Sequence, residues 1–246
     1  MPPKIYKLGM MGIMLSIVFS SVSFAQEATD SAILTIGDPA PPILVGEWFK
    51  GEPVSKFEKD HIYVLDFWAA WCKPCMQAMP DLSTLAKKYK NKITAIGINV
   101  MENKYFPKTR TVHIVDSMGR RINFSLAYDS ADMMKKIWLD AAHEAAIPRT
   151  YVIDGNGKIA WIGHPKKLEE NLIQIINNSW DLEVAREKRA YLARLVALDD
   201  SVREEVFRFF HSGNLSDFYG EPDSTLLHID SAIHVYPDLK YTSQVT

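Results

Sequence analysis

The sequence predicts an α/β fold in three layers, a mixed central sheet flanked by helices, followed by a C-terminal α-helical extension. Three observations predict it. Two apolar, β-branched runs, Tyr63–Phe67 and Ile93–Val100, bracket an amphipathic stretch, and strand–helix–strand order implies a parallel pair. Two more short apolar runs enclose Asp154-Gly155-Asn156-Gly157, a hairpin signal that adds antiparallel strands. After Trp180 the pattern turns helical and the charge acidic, with 12 Asp and Glu against 7 Lys and Arg.

Residues 1–25 read as a secretory signal peptide. Lys4 and Lys7 supply a positive start, Leu8 to Phe19 an apolar stretch, and Ser23-Phe24-Ala25 small side chains where a signal peptidase cuts. A retained membrane anchor is the alternative, since the apolar run lies near the lower limit for a span. The periplasm or its equivalent is the expected compartment, where a dithiol is not kept reduced by default. Residues 26–36 are expected to form a flexible polar lead, 37–178 the main domain and 179–246 the acidic extension. A formal net charge of −2 gives no basis for nucleic-acid binding.

Along the main domain, the prolines of Gly37-Asp38-Pro39-Ala40-Pro41-Pro42 bar a helix and lead into an extended segment, Ile43 to Trp48. Tyr63–Phe67 reads as a buried strand. A helix from about Cys75 to Tyr89 turns Met79, Leu82, Leu85 and Ala86 toward the core, with a kink expected at Pro80. Ile93–Val100 is the next strand. A helix over Pro107–Met118, a short strand over Phe124–Tyr128 and a second helix over Ser130–Ala142 fill the irregular middle. Strands Arg149–Ile153 and Ile159–Gly163 flank the hairpin turn, and an amphipathic helix over Leu168–Ile176 closes the unit. In the extension, Leu182–Leu198 sets Leu182, Ala185, Leu192, Leu195 and Val196 on roughly one face. Val202–His211 and Asp223–His234 repeat the helical behaviour. One helical hairpin cannot bury its own face, so the extension must dock on the main domain, a partner or a second copy.

Both cysteines of the chain stand two residues apart in Trp71-Cys72-Lys73-Pro74-Cys75, directly after the first buried strand. That spacing lets both sulfurs share the first turn of a helix, where they can bond reversibly and where the helix N-terminus stabilises a thiolate. Two inert buried thiols, or half of a zinc site, are the alternatives. The zinc reading lacks a further Cys pair or a His pair at ligand spacing. No metal and no cofactor is expected: His113, His143, His164 and the other histidines show no ligand pattern, and the methionines are scattered. Asp66 is the telling polar residue. A carboxylate in an apolar strand is costly without a role, and burial raises its pKa.

Tyr63 through Cys75 resembles the active-site strand and turn of the thioredoxin-like superfamily. Met79-Pro80 is similar to the Met-Pro that follows in its exported TlpA- and ResA-like branch. Ile147-Pro148-Arg149-Thr150-Tyr151-Val152-Ile153-Asp154 resembles that branch's second signature, and the segment from Val100 to Ile147 matches its strand-and-helix insertion. The resemblance spans roughly Gly37 to Asn178 and leaves the extension uncovered. It implies a thioredoxin-like fold and thiol–disulfide exchange.

In that setting Cys72 is the exposed nucleophile that attacks a partner disulfide, and Cys75, one turn inward, resolves the mixed disulfide. The resemblance implies that Asp66 takes the proton of Cys75 through a water; otherwise it has turned to bond a backbone group. It makes Pro148 cis, beside the dithiol, leaving the backbone of Ile147 free to pair with an extended substrate; otherwise Pro148 is a plain trans bend. Pro74 sets φ at the helix start, and Trp71 lies flat against the turn or simply packs. Lys73 and Arg149, the latter standing where the family more often has Thr, flank the dithiol with positive charge that lowers the Cys72 pKa, or else face solvent.

The expected function is exported thiol–disulfide exchange. Reduction of disulfides in envelope proteins, fed by a membrane-linked electron donor, is favoured over oxidation. Direction rests on the resemblance, while Lys73 argues the other way by stabilising a thiolate. The alternatives are a thiol peroxidase, which needs a lone cysteine and a Thr where Ala69 stands, and a non-catalytic partner-binding or metal-delivery module.

Overall fold

The computed structural model describes residues 33–102 and 107–211. The signal segment, most of the lead and the Asp223–His234 helix lie outside these residues. Six strands form one sheet: β1 (Glu47–Lys50), β2 (Ile62–Trp68), β3 (Ile93–Asn99), β4 (Ser125–Tyr128), β5 (Arg149–Ile153) and β6 (Ile159–Gly163). Their order is β1-β4-β3-β2-β5-β6. β2, β3 and β4 run parallel; β1, β5 and β6 each pair antiparallel with a neighbour. The helices are α1 (Lys73–Lys88), α2 (Lys108–Met118), α3 (Leu168–Ile176) and α4 (Leu182–His211).

Strand alternation divides the interior into two cores, one on each sheet face. Val64, Trp68 and Val152 share a cluster with Met79, Leu82 and Leu85 of α1 and with Leu168, Leu172 and Ile175 of α3. Leu65, Phe67, Tyr151 and Ile153 belong to the other cluster, with Met134, Trp138 and Leu139, and with Leu182 and Ala185 of α4 packed on it. Both cysteines lie in the first cluster. By the same alternation Asp66 and Thr150 face the α1 side, whereas Arg149 faces the α4 side.

Most elements form where the apolar pattern places them, and the exceptions have local causes. The segment Ile43–Trp48 pairs only from Glu47. Upstream, Gly46 is pressed so close to Ser130 that a Cβ would lie 1.9 Å from its hydroxyl oxygen, and Ile43 is instead buried singly. The expected helix over Ser130–Ala142 is largely a π-helical turn, Lys135–Asp140. Bonds of five-residue span, Ala141 N–H to Lys136 O and Glu144 N–H to Leu139 O, widen it. The wider turn buries Met134, Trp138 and the adjacent Leu139 completely. α1 begins at Lys73 and runs on through Pro80, which lies on its exposed side.

The lead and the extension are less separate than their composition suggests. Leu34 N–H bonds Ala141 O at 2.8 Å, and Ile36 is buried, so the lead joins the core before Gly37. Trp180 Nε1 donates to Ala160 O at 2.9 Å, and Leu182 and Ala185 pack against a core, so the first residues of the extension contact the sheet domain. α4 is one helix of 30 residues in place of two. No Gly or Pro interrupts it, and Asp199-Asp200-Ser201 is carried within it. Val196, expected on the buried face, is exposed. No helix among the described residues is long and apolar enough to cross a membrane.

Candidate active site

The end of β2 delivers Ala69-Ala70-Trp71 into a turn, and Cys72 caps α1 from an extended conformation. Its Sγ accepts the Cys75 N–H at 3.2 Å, so the sulfur answers one of the orphan amides of the helix start. Pro74 stands in the first turn, where its missing N–H costs nothing. Cys72 and Cys75 are joined in a disulfide with an S–S distance of 2.02 Å. Cys75 is fully buried, and Cys72, expected to be exposed, is itself only 3% exposed. The Ile147 carbonyl oxygen lies 3.8 Å from Cys72 Sγ, one of the groups that cover it.

The loop after β3 holds the turn from behind. Ala70 N–H and Asn99 Nδ2 both donate to Glu102 Oε1 at 2.7 Å, and Trp71 Nε1 donates to Met101 O at 2.8 Å. Trp71 keeps 40% of its surface open, so it flanks the dithiol without sealing it.

Asp66 is 1% exposed and accepts the Thr150 hydroxyl at 2.7 Å. The two residues are directly opposed in the β2–β5 ladder. The partner is a side chain, and the backbone-bonded alternative is not what is found. Burial pushes the Asp66 carboxyl up to about 7, and the bond from Thr150 opposes that rise. Such a group changes its protonation at neutral pH, inside the same layer as the two sulfurs.

Ile147–Pro148 is a cis peptide, and Pro148 is buried. The Ile147 N–H has no backbone partner among the described residues. Lys73 is exposed beside Cys72. Arg149 does not flank the dithiol. Its guanidinium pairs with Glu144 at 2.7 Å on the opposite sheet face. The physical reason is strand parity: Thr150 takes the α1 side, so its neighbour must take the other. Among the described residues no three His, Cys, Asp or Glu side chains are placed to hold a metal.

Cys72, Cys75, Asp66, Pro148, Ile147, Trp71, Lys73 and Pro74 thus gather at one end of the sheet, and Arg149 stands behind it. Sequence reasoning did not find Thr150, Asn99, Glu102 or Glu144. Asn99, a polar residue closing an apolar strand, was a readable signal for a buried contact; Thr150 and Glu144 carried none.

A profile of the AhpC/TSA family matches residues 36–162, just over half of the chain. The chain is 32% identical over 151 residues to Protein FixW of Rhizobium leguminosarum, covering 60% of this chain and 68% of that protein. It is 28% identical over 137 residues to the thiol-disulfide oxidoreductase ResA of Geobacillus kaustophilus, covering 54% and 72%. A crystal structure of an uncharacterized conserved protein from Geobacillus kaustophilus superposes with a TM-score of 0.50 at 19% identity, over 59% of this chain and 84% of that one, a likeness of fold.

Proposed function

We propose that this chain, which belongs to the AhpC/TSA family and has a thioredoxin-like fold, is a thiol–disulfide oxidoreductase that works through Cys72 and Cys75. The observation that carries the proposal is the Cys72–Cys75 disulfide at the N-terminus of α1, one layer with a carboxyl poised near neutrality. A relative named as a thiol-disulfide oxidoreductase supports it.

In the reduced protein the Cys72 thiolate attacks one sulfur of a partner disulfide. The partner's S–S bond breaks, its other sulfur leaves as a thiolate, and a mixed disulfide forms on Cys72. Asp66, as carboxylate, takes the Cys75 proton through a water. The Cys75 thiolate then attacks Cys72 Sγ and expels the partner's second sulfur. Two electrons have passed to the partner, and the chain is left in the disulfide form. The Ile147 N–H, without a backbone partner among the described residues, and the covered Cys72 suit a partner segment that pairs with the loop and uncovers the sulfur as it docks. Pro148 shapes that loop, and Trp71, Lys73 and Pro74 border it.

The direction is reduction of disulfides in exported proteins, in a chain that residues 1–25 carry out of the cytoplasm and a membrane-linked donor recharges. The signal-like segment and the Asp66 carboxyl support this reading. A peroxidase is not favoured, since Ala69 offers no hydroxyl and Cys72 is paired.

Equilibration against dithiothreitol or glutathione tests the proposal. A reduction potential near about −270 mV is expected for a reductant, and a value near about −120 mV would make it an oxidant. Cys75→Ala should trap the mixed disulfide with a disulfide peptide. Absence of any Cys72 adduct would refute the exchange chemistry itself.

A further inference from the structure

We propose that Glu144 is the positioning residue of the loop that faces Cys72, and that α4, through Arg189, is the element that holds it in place. The proposal builds on the thiol–disulfide function and adds a role for the C-terminal extension, which lies past the family match.

The loop runs from the π-helical turn to β5, and its middle is Ile147–Pro148. Its entry is tied down by Glu144 N–H to Leu139 O at 2.8 Å. Its exit is β5, where Arg149 is paired with Phe67. Glu144 Oε2 meets Arg149 Nη2 at 2.7 Å, closing the five-residue interval as a side-chain staple around the cis peptide. Glu144 Oε1 meets Arg189 Nη2 of α4, also at 2.7 Å. One carboxylate therefore holds the loop closed with one oxygen and fastens it to the helix with the other. The Glu144 side chain is 12% exposed, and the two arginines 25% and 22%. At such depth the pairs are screened less than surface ion pairs and fix geometry more firmly.

The consequence is positional. The Ile147 carbonyl sits 3.8 Å from Cys72 Sγ, and its N–H is the group an extended partner would meet. A displacement of about 1 Å there is enough to cost a bound substrate much of its alignment. Arg149 lies on the far face of the sheet, so the triad acts on the dithiol by placing backbone.

The test uses the full chain with a disulfide-bonded peptide as substrate and dithiothreitol as electron source. Arg189→Met should raise KM at least about threefold while kcat stays within about twofold, because Glu144 loses its tie to the helix and the sulfurs are untouched. Arg189→Lys, which can keep one charge-assisted bond, should restore KM. Glu144→Gln should act at least as strongly as Arg189→Met. The melting temperature is recorded for each. A lower melting temperature with unchanged KM in Arg189→Met would mean that the triad only stabilises the fold, and would overturn the proposal. If Glu144→Gln does not fold, Arg189→Met decides alone, since it leaves the Glu144–Arg149 pair intact. If the parent chain turns over no disulfide peptide, the functional reading fails separately. The amide resonance of Ile147 then decides, a shift in Arg189→Met supporting the clamp and its constancy refuting it.

Discussion

Asp66 is the residue on which pH acts most directly. Its ordinary pKa of 3.8 is raised to about 7 in the folded chain, so the native state holds this proton more tightly than the unfolded state does. The contribution is fully present below the unfolded value and is lost as the pH climbs through the folded one. Asp66→Asn keeps an oxygen for the Thr150 hydroxyl and has no proton to lose. The variant should therefore gain up to about 4 kcal/mol over the parent at about pH 8.5, and little near about pH 3. Urea melts at both pH values measure this. The same change should slow resolution of the mixed disulfide by about 100-fold or more if Asp66 serves Cys75 as base. Stability gained and rate lost together would mark a residue kept for chemistry. Asp66 stood out in the sequence because a carboxylate in an apolar strand is conspicuous. Its partner did not: Thr is an ordinary strand residue, and the bond spans 84 positions.

At the scale of elements, the sheet carries the site between β2 and β5, and its packing leaves little slack. Gly97 of β3 is paired with Asp66. A Cβ there would lie 2.6 Å from Leu126 Cδ2, 3.1 Å from the Phe124 ring and 3.3 Å from Trp68 Nε1. Leu126 and Trp68 are fully buried and have nowhere to move. Gly97→Ala should cost about 1–3 kcal/mol by overpacking, read from the denaturant midpoint. The hairpin around Asp154–Gly157 and the closing helix Leu168–Ile176 were legible to the residue, because turn chemistry and a clean amphipathic period both act locally. The π-helical turn was not. A period of 3.6 cannot anticipate a widened turn that buries two successive side chains, Trp138 and Leu139. The face on which Arg149 points was equally hidden: alternation along a strand is readable, but which helix covers which face is a tertiary fact.

Across the whole molecule, the extension that the charge balance set apart is continuous with the domain through Trp180, Leu182 and Ala185. Sequence alone left its docking open because an amphipathic face names no partner. Both cysteines of the oxidised chain sit almost wholly beneath the surface, at 3% and 0% exposure. Small thiols attack only what they can touch, so dithiothreitol or glutathione should reduce the chain at least about tenfold more slowly than an unstructured peptide with the same Cys-Lys-Pro-Cys disulfide. Stopped-flow comparison of the two measures it, and equal rates would deny the shielding. The dithiol is in this sense insulated. In the proposed exchange its redox state is set by the proteins that dock on it, and the ambient thiol pool, however oxidising or reducing, has little say over it on the timescale of an encounter.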